Sequence, residues 1–279
     1  MKKKVILILG PTASGKTKKA LKMAKENNGE IISVDSRQVY QEIPYFSGSA
    51  EERWVQEIKQ HCLGSLSLVK NDEFNISIFK EKVIPLIDKI HQENKIPILV
   101  GGSSFYFEAI LFENFLPNVE PDLKLRKELE KKTIEELLKE IKDKDFEFYQ
   151  RVDKNNKVRL LRGLEIIYKL GKVPKIEKKL NQKYDFEIYF LIPEKEISKK
   201  KIKENLKKRW KGILKEGEFL KGKISDEKIK NLGLAFKFIF DFWEGKISEE
   251  EFFEKSFSEE WKYSKRQRTF LKRLKKNLG

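Results

Sequence analysis

The stretch Lys4-Val5-Ile6-Leu7-Ile8-Leu9-Gly10-Pro11-Thr12-Ala13-Ser14-Gly15-Lys16-Thr17 decides the fold. Val5–Leu9 is a run of apolar residues, and it leads directly into Gly-x-x-x-x-Gly-Lys-Thr. That order is a short buried strand feeding a phosphate-binding loop and then a helix. The glycines let the backbone curl until successive N–H groups point inward at an anion, and the helix adds its positive N-terminal end to the same spot. Lys16 can supply a point charge to phosphate oxygens, and the Thr17 hydroxyl a ligand to Mg²⁺. Gly10, Pro11, Thr12, Ala13, Ser14, Gly15, Lys16 and Thr17 are accordingly read together as a polyphosphate site. The plain alternative is a glycine-rich turn between two elements.

Outward from the loop, Thr17–Asn28 has helical spacing and stops at Asn27-Asn28-Gly29. A second apolar run, Glu30–Val34, ends at Asp35-Ser36, and a third, Ile96–Val100, ends in Gly101-Gly102-Ser103-Ser104. Strand, loop, helix, strand opens a parallel α/β domain, in which ligands bind at the carboxyl ends of the strands. Gly10–Thr17, Asp35-Ser36 and Gly101–Ser104 are therefore expected around one crevice, with the second strand placed beside the loop. From Pro117 the texture turns helical and charged, and no strand-like run appears until Phe186–Ile192. The pattern predicts a P-loop core with a parallel sheet flanked by helices, built from 1–116 and 181–279, with an all-helical insertion at 117–180. The helices after 192 are expected to break at Gly212, Gly217, Gly222, Gly233 and Gly245.

The composition narrows the partners. The 279 residues carry a formal charge of +16, with 39% hydrophobic and 37% charged residues, which suffices for a core. Such a basic excess suits a nucleic-acid backbone, although lysine-rich composition also has bland origins. Residues 261–279 hold eight Lys or Arg and no acid. Phe270, Leu271, Leu274 and Leu278 form its expected packing stripe, with the basic side chains on the other face. One cysteine and two histidines exclude an intrachain disulfide and argue against a Cys/His zinc site. No stretch approaches the ~20 apolar residues of a membrane span, so a soluble, cytoplasmic chain with no membrane partner is expected.

The chemistry at the loop is less clear from the residues alone. A nucleotide kinase or hydrolase usually carries an acid at the end of another core strand, to hold Mg²⁺ through water. Here Val100 is followed by Gly-Gly-Ser-Ser, and the strand-end acid is Asp35. Asp35 can serve as a base toward an incoming nucleophile, as a Mg²⁺ partner, or merely as a cap for the turn that follows.

Several motifs together resemble the tRNA dimethylallyltransferase family, in a compact bacterial form. They are Gly10–Thr17; Ser33-Val34-Asp35-Ser36-x-Gln38-x-Tyr40; Pro97–Ser103 with Tyr106; Pro121-Asp122-x-x-x-Arg126; Arg159-Leu160-x-Arg162-x-Leu164-Glu165-Ile166 with Gly171-Lys172; and Lys265-Arg266-Gln267-x-Thr269-Phe270. The resemblance spans nearly the whole chain. It implies that the loop binds the diphosphate of dimethylallyl diphosphate, and that the dimethylallyl group moves to the exocyclic amine of the adenosine 3′ to the anticodon, with Mg²⁺ assisting. Carried over residue by residue, Lys16 and Thr17 hold diphosphate and metal, Asp35 is the base, Ser103 lines the channel, and Arg209 reaches the diphosphate. Asp35, Ser36, Arg37, Gln38, Ser103, Arg126, Arg159, Arg162, Lys265, Arg266, Gln267 and Arg268 are the residues implied to meet the tRNA anticodon stem-loop. A monomer is expected, because nothing in the sequence demands a dimer. The chain departs from the family pattern at Ile43–Ser49, at Asn205 where an Arg is usual, and at Gly233-Leu234 where Gly-Tyr is usual. The alternative function is a P-loop kinase acting on a nucleotide or nucleic acid.

Overall fold

The computed structural model describes residues 3–50, 57–113, 117, 119–175 and 178–278. The chain divides into two compact units, one of residues 1–110 with 181–279 and one of residues 111–180. The second unit begins at Leu111, six residues before the texture change at Pro117.

The first unit is built on a five-stranded sheet. Its strands are β1 (Lys3–Leu9), β2 (Gly29–Val34), β3 (Gln60–His61), β4 (Ile96–Gly101) and β5 (Tyr184–Phe190), in the order β3-β2-β4-β1-β5. Every pairing is parallel. Val5–Leu9 is wholly buried, as expected of a parallel strand covered on both faces. Two features differ from the sequence expectation. The strand β4 lies between β1 and β2, so Asp35 stands two strands from the phosphate loop rather than beside it. The strand β3 is only two residues long, too short to leave a periodic signal.

The helices of this unit are α1 (Lys16–Glu26), α2 (Pro44–Ser47), α3 (Ile76–Gln92), α4 (Ser104–Leu111, its last residue in the second unit), α9 (Lys195–Leu220), α10 (Asp226–Asn231), α11 (Ile239–Trp243) and α12 (Glu249–Leu278). Ala20, Met23 and Ala24 of α1 pack on Ile6, Ile8, Ile31 and Ile98 of the sheet. A separate apolar cluster joins α2, α9, α11 and α12 through Phe46, Leu206, Trp210, Ile239 and Phe252. Gly212 and Gly217 were expected to break a helix, yet α9 runs through both. A Cβ at Gly212 would run into the Tyr45 ring, and one at Gly217 into Ile239, so close packing retains these glycines despite their helix cost of about 1 kcal/mol. The basic helix is also longer than expected, because α12 begins at Glu249. Its buried side is Phe252, Ser256, Glu260, Ser264, Gln267, Arg268, Leu271 and Leu274, a stripe far more polar than the apolar set predicted for it.

The second unit holds α5 (Leu123–Leu129), α6 (Ile134–Lys144), α7 (Phe146–Arg151) and α8 (Lys157–Leu170) around Leu129, Leu137, Ile141, Leu160 and Leu164. Among the described residues, no helix is long and apolar enough to cross a membrane.

Candidate active site

The phosphate loop closes the carboxyl end of β1. Gly15 adopts φ +85°, a left-handed conformation that a side chain would strain, and it turns the chain into α1. The Lys16 ammonium donates to the Pro11 carbonyl at 2.8 Å, which holds it back along the loop. The Ser14 hydroxyl is buried and has no hydrogen-bond partner among the described residues. An orphaned donor inside a loop of this shape suits an anion oxygen.

The loop opens on a cleft of about 650 Å³ that the strand ends and two distant helices wall in. Thr12 to Lys18 line one side, Asp35, Arg37 and Gln38 another, and Gly101-Gly102 the floor between them. Five basic and two acidic side chains face it, leaving a positive field for a polyanion.

Asp35 sits in the turn after β2. Its Oδ1 accepts from the backbone N–H of Arg37 at 2.8 Å and of Gln38 at 3.3 Å. The capping role is therefore present, and it uses one oxygen only. No described group bonds to Oδ2, which leaves that oxygen for an incoming proton. Ser33 Oγ donates to Gln38 Oε1 at 2.7 Å and firms the turn, while Arg37 Nε donates to the Leu232 carbonyl at 2.9 Å. Ser36 belongs to the same turn but does not line the cleft.

Ser103 follows β4 and, like Ser36, does not line the cleft, whereas Tyr263 of α12 does, with the Arg37 guanidinium 5.3 Å from its ring centre. Burial, together with the Asp35 charge, pushes the Tyr263 phenol above its ordinary value, with Arg37 opposing. The same two causes, in the same order, raise Tyr106. Both phenols thus stay protonated around Asp35.

Arg209 lines the cleft and is heavily engaged. One terminal nitrogen donates to the carbonyls of Tyr45 at 2.6 Å and Phe46 at 3.1 Å, and the other pairs with both Glu260 oxygens at 3.0 and 3.2 Å. Seven residues along α9, the buried Glu216 carboxylate accepts from the N–H groups of Tyr45 and Phe46 at 2.6 and 2.7 Å. Arg209 and Glu216 together grip all four backbone polar groups of two residues, Tyr45 and Phe46, in the atypical 43–49 segment. Asn205 and Leu234, the other two departures, line the same cleft.

On α12, Lys265 and Arg266 are exposed and border a second, open groove of about 500 Å³ with Lys262, Phe270 and Arg273. Gln267 faces the other way, into the phosphate loop. Arg268 departs from its expected place on the outer face. It is buried, donating to Ser198 Oγ at 3.0 Å and to the Pro193 carbonyl, so it ties α12 to the start of α9. In the second unit, Arg126 and Arg162 converge on the buried Glu165 carboxylate, at 2.8 and 3.0 Å, and Arg162 also donates to the Val119 carbonyl. Arg159 is largely exposed, with a 3.7 Å pairing to Asp153.

Sequence reasoning missed Glu260, Tyr263 and the inward turn of Gln267. Their i, i+3, i+7 spacing puts them on one helix face, and that was the available signal.

A phosphate loop at the head of a parallel sheet, opening on a basic cleft with a carboxylate at a strand end two strands away, defines a P-loop fold whose cleft suits a polyphosphate beside a second reactant. The family model described as IPP transferase matches residues 38–274. The chain is 32% identical to tRNA dimethylallyltransferase 2 of Shewanella sediminis, over 99% of this chain and 91% of the relative. It is 34% identical to the tRNA dimethylallyltransferase of Chlamydia pneumoniae, over 98% and 83%. Among solved structures, a eukaryotic dimethylallyltransferase acting on tRNA superposes with a TM-score of 0.81 at 26% identity, over 95% of this chain and 69% of its own. A tRNA isopentenylpyrophosphate transferase from Bacillus halodurans gives 0.69 at 27%, over 97% and 87%. The chain belongs to the tRNA dimethylallyltransferase (IPP transferase) family.

Proposed function

We propose that the chain transfers the dimethylallyl group of dimethylallyl diphosphate to the exocyclic amine of the adenosine 3′-adjacent to the anticodon in tRNA. The observation that carries this is the sharing of one basic cleft by the phosphate loop and by Asp35 with an unbonded Oδ2, in a chain of this family. The N–C1 bond forms as the C1–O bond to diphosphate breaks. The amine is a weak nucleophile because its lone pair is delocalised into the ring, so Asp35 takes its proton as attack proceeds. The loop N–H groups, Lys16 and the Ser14 hydroxyl hold the departing diphosphate as its charge grows. Arg209 adds positive potential from the far wall, muted by Glu260. The target base has to leave its stack to reach Asp35. Lys265, Arg266 and Arg159 are the exposed cations best placed to meet RNA backbone within their own units.

The residues fit Mg²⁺ as an ion that arrives with the substrate. Among the described residues, no group of three or more His, Cys, Asp or Glu is arranged to hold a metal, whereas the Thr17 hydroxyl on the cleft wall is a hard oxygen donor. Mg²⁺ is commonly held in that way, by one or two protein oxygens plus phosphate and water. When bound, it neutralises diphosphate charge. Action as a cytoplasmic monomer belongs to the same proposal. The kinase alternative is disfavoured, because β4, adjacent to β1, carries no acid at its end.

Incubation with labelled dimethylallyl diphosphate and undermodified tRNA is expected to yield isopentenyl-adenosine. Asp35→Ala is expected to abolish the product while tRNA binding stays near normal. ATP hydrolysis without transfer refutes the proposal, and lost tRNA affinity in Asp35→Ala refutes the role of that residue.

A further inference from the structure

Gln267 occupies a singular place between the two halves of the cleft. It lies on the inner face of α12 and is buried, with 6% of its surface exposed. Its Oε1 accepts from the Thr12 backbone N–H at 2.9 Å and from the Thr12 hydroxyl at 3.2 Å. Its Nε2 donates to the Gly102 carbonyl at 3.1 Å. One side chain therefore spans the phosphate loop after β1 and the strand end after β4, next to Ser103. The site is shaped around it, because a Cβ on Gly102 would run into the Gln267 amide. The two segments also touch directly, through the 3.3 Å bond from the Gly10 N–H to the Gly101 carbonyl. That bond fixes the base of the loop, while Gln267 fixes its crown.

We propose that Gln267 is a positioning residue for group transfer, which sets the phosphate loop at a fixed distance from the Ser103 end of β4. The proposal rests on the transfer reaction proposed above. In a displacement at C1, the nucleophile, the carbon and the leaving oxygen must be aligned. The loop holds the leaving group, and the Asp35–Ser103 side receives the amine. A brace between them controls alignment, and a shift of ~1 Å can cost about 100-fold in rate. The Gln267 amide meets this need with an acceptor and a donor on one rigid plane, diverging toward the two segments. Thr12, held at both its N–H and its hydroxyl, is fixed in rotation as well as position. Gln267 itself is turned away from solvent, so RNA on the outer face of α12 meets Lys265 and Arg266 instead.

The test compares Gln267→Ala and Gln267→Met in the full-length chain. Met keeps nearly the length and volume of Gln but forms none of the three bonds. The measurements are kcat with dimethylallyl diphosphate and undermodified tRNA, KM for tRNA, Kd for inorganic pyrophosphate, and the folded fraction by melting. Both variants are expected to lose about 30- to 100-fold in kcat per folded molecule, with KM for tRNA within threefold of the parent. Pyrophosphate affinity is expected to fall much less than kcat. Recovery of kcat to within threefold in Gln267→Met overturns the proposal in favour of space filling. A rise in KM for tRNA with unchanged kcat overturns it in favour of direct RNA contact. Failure of the parent chain to transfer refutes the proposed function instead, a result distinct from either variant outcome.

Discussion

Glu216→Ala is expected to unseat one wall of the cleft while leaving the phosphate loop intact. The buried Glu216 carboxylate accepts two backbone N–H groups, from Tyr45 at 2.6 Å and Phe46 at 2.7 Å, and no helix of any length backs up those bonds, because α2 is only four residues long. A hydrogen bond to a charged acceptor contributes about 1.5–3 kcal/mol net, and a buried donor left unsatisfied costs about 1–3 kcal/mol. The two bonds share one carboxylate, whose own burial cost disappears in the variant, and a short helix can turn outward to hydrate its freed N–H groups. The full sum is therefore not reached, and the expected loss is about 2–4 kcal/mol. Arg209 still grips the carbonyls of the same two residues, so the segment is loosened rather than released. Glu216→Gln keeps one acceptor and turns a donor toward the second N–H, and it should fall between the parent and the alanine variant. Urea unfolding measures the stability. Steady-state kinetics with dimethylallyl diphosphate should show KM for the donor rising more than kcat falls, because Tyr45 and Phe46 line the cleft. Glu218→Ala, exposed on the same helix, serves as control and should stay within about 0.5 kcal/mol. If Glu216→Ala matches that control, the account of the 43–49 segment as a wall clamped by α9 is refuted.

Two further outcomes are expected elsewhere in the molecule. At the far end of the sheet, burial pushes the Glu30 carboxyl up, but hydrogen bonds from Lys95 and His61 and the Lys59 charge more than offset it, leaving the group below its ordinary value of 4.5. A lowered carboxyl stabilises the fold above pH 4.5 and loses that contribution as pH falls through the folded value, so the stability gap between parent and Glu30→Gln should be full at pH 7 and close in acid. A gap that stays constant from pH 7 to pH 3 in urea titrations contradicts this. In the second unit, Glu165→Ala strands two guanidinium groups and should destabilise the chain by about 3–5 kcal/mol, whereas Arg159→Ala should leave melting unchanged and reduce the salt slope of tRNA binding by about one. Equal stability of the two variants would remove the distinction drawn between these arginines.

What the sequence made legible follows from how local each feature is. The loop could be read because its chemistry is written in consecutive backbone geometry, and β1, β2 and β4 because buried parallel strands are largely continuous apolar runs. The half-buried edge strand β5 shows as the run of apolar residues that opens at Phe186 and is interrupted by Glu187. The order of the strands was not legible. Nothing in Glu30–Val34 or Ile96–Val100 says which lies beside β1, and β4 inserts between the other two. Gly212 illustrates a second limit. A glycine in a helical pattern reads as a break until the ring it accommodates is known, and Tyr45 is 167 residues earlier in the chain. Likewise Glu260 and Gln267 gain meaning only from Arg209 and Thr12, which local spacing cannot place beside them.

The same limit governs the charge. Of the 60 basic residues, ten are arginines, and most of the described ones have their guanidinium groups engaged within the fold rather than open to direct contact with a partner. Arg37, Arg126, Arg151, Arg162, Arg209 and Arg268 all donate to carboxylates or carbonyls of the fold, which leaves Arg159, Arg266 and Arg273 as the more open ones. A guanidinium is planar, weakly hydrated and forked, so it can be spent on bracing at low desolvation cost, whereas a lysine ammonium keeps its water and stays at the surface. The net excess of +16 is thus presented to a polyanion chiefly by lysines. Electrostatic capture of RNA should therefore tolerate loss of any one lysine, spread as it is over many weak contacts, while loss of a single bracing arginine acts through the fold.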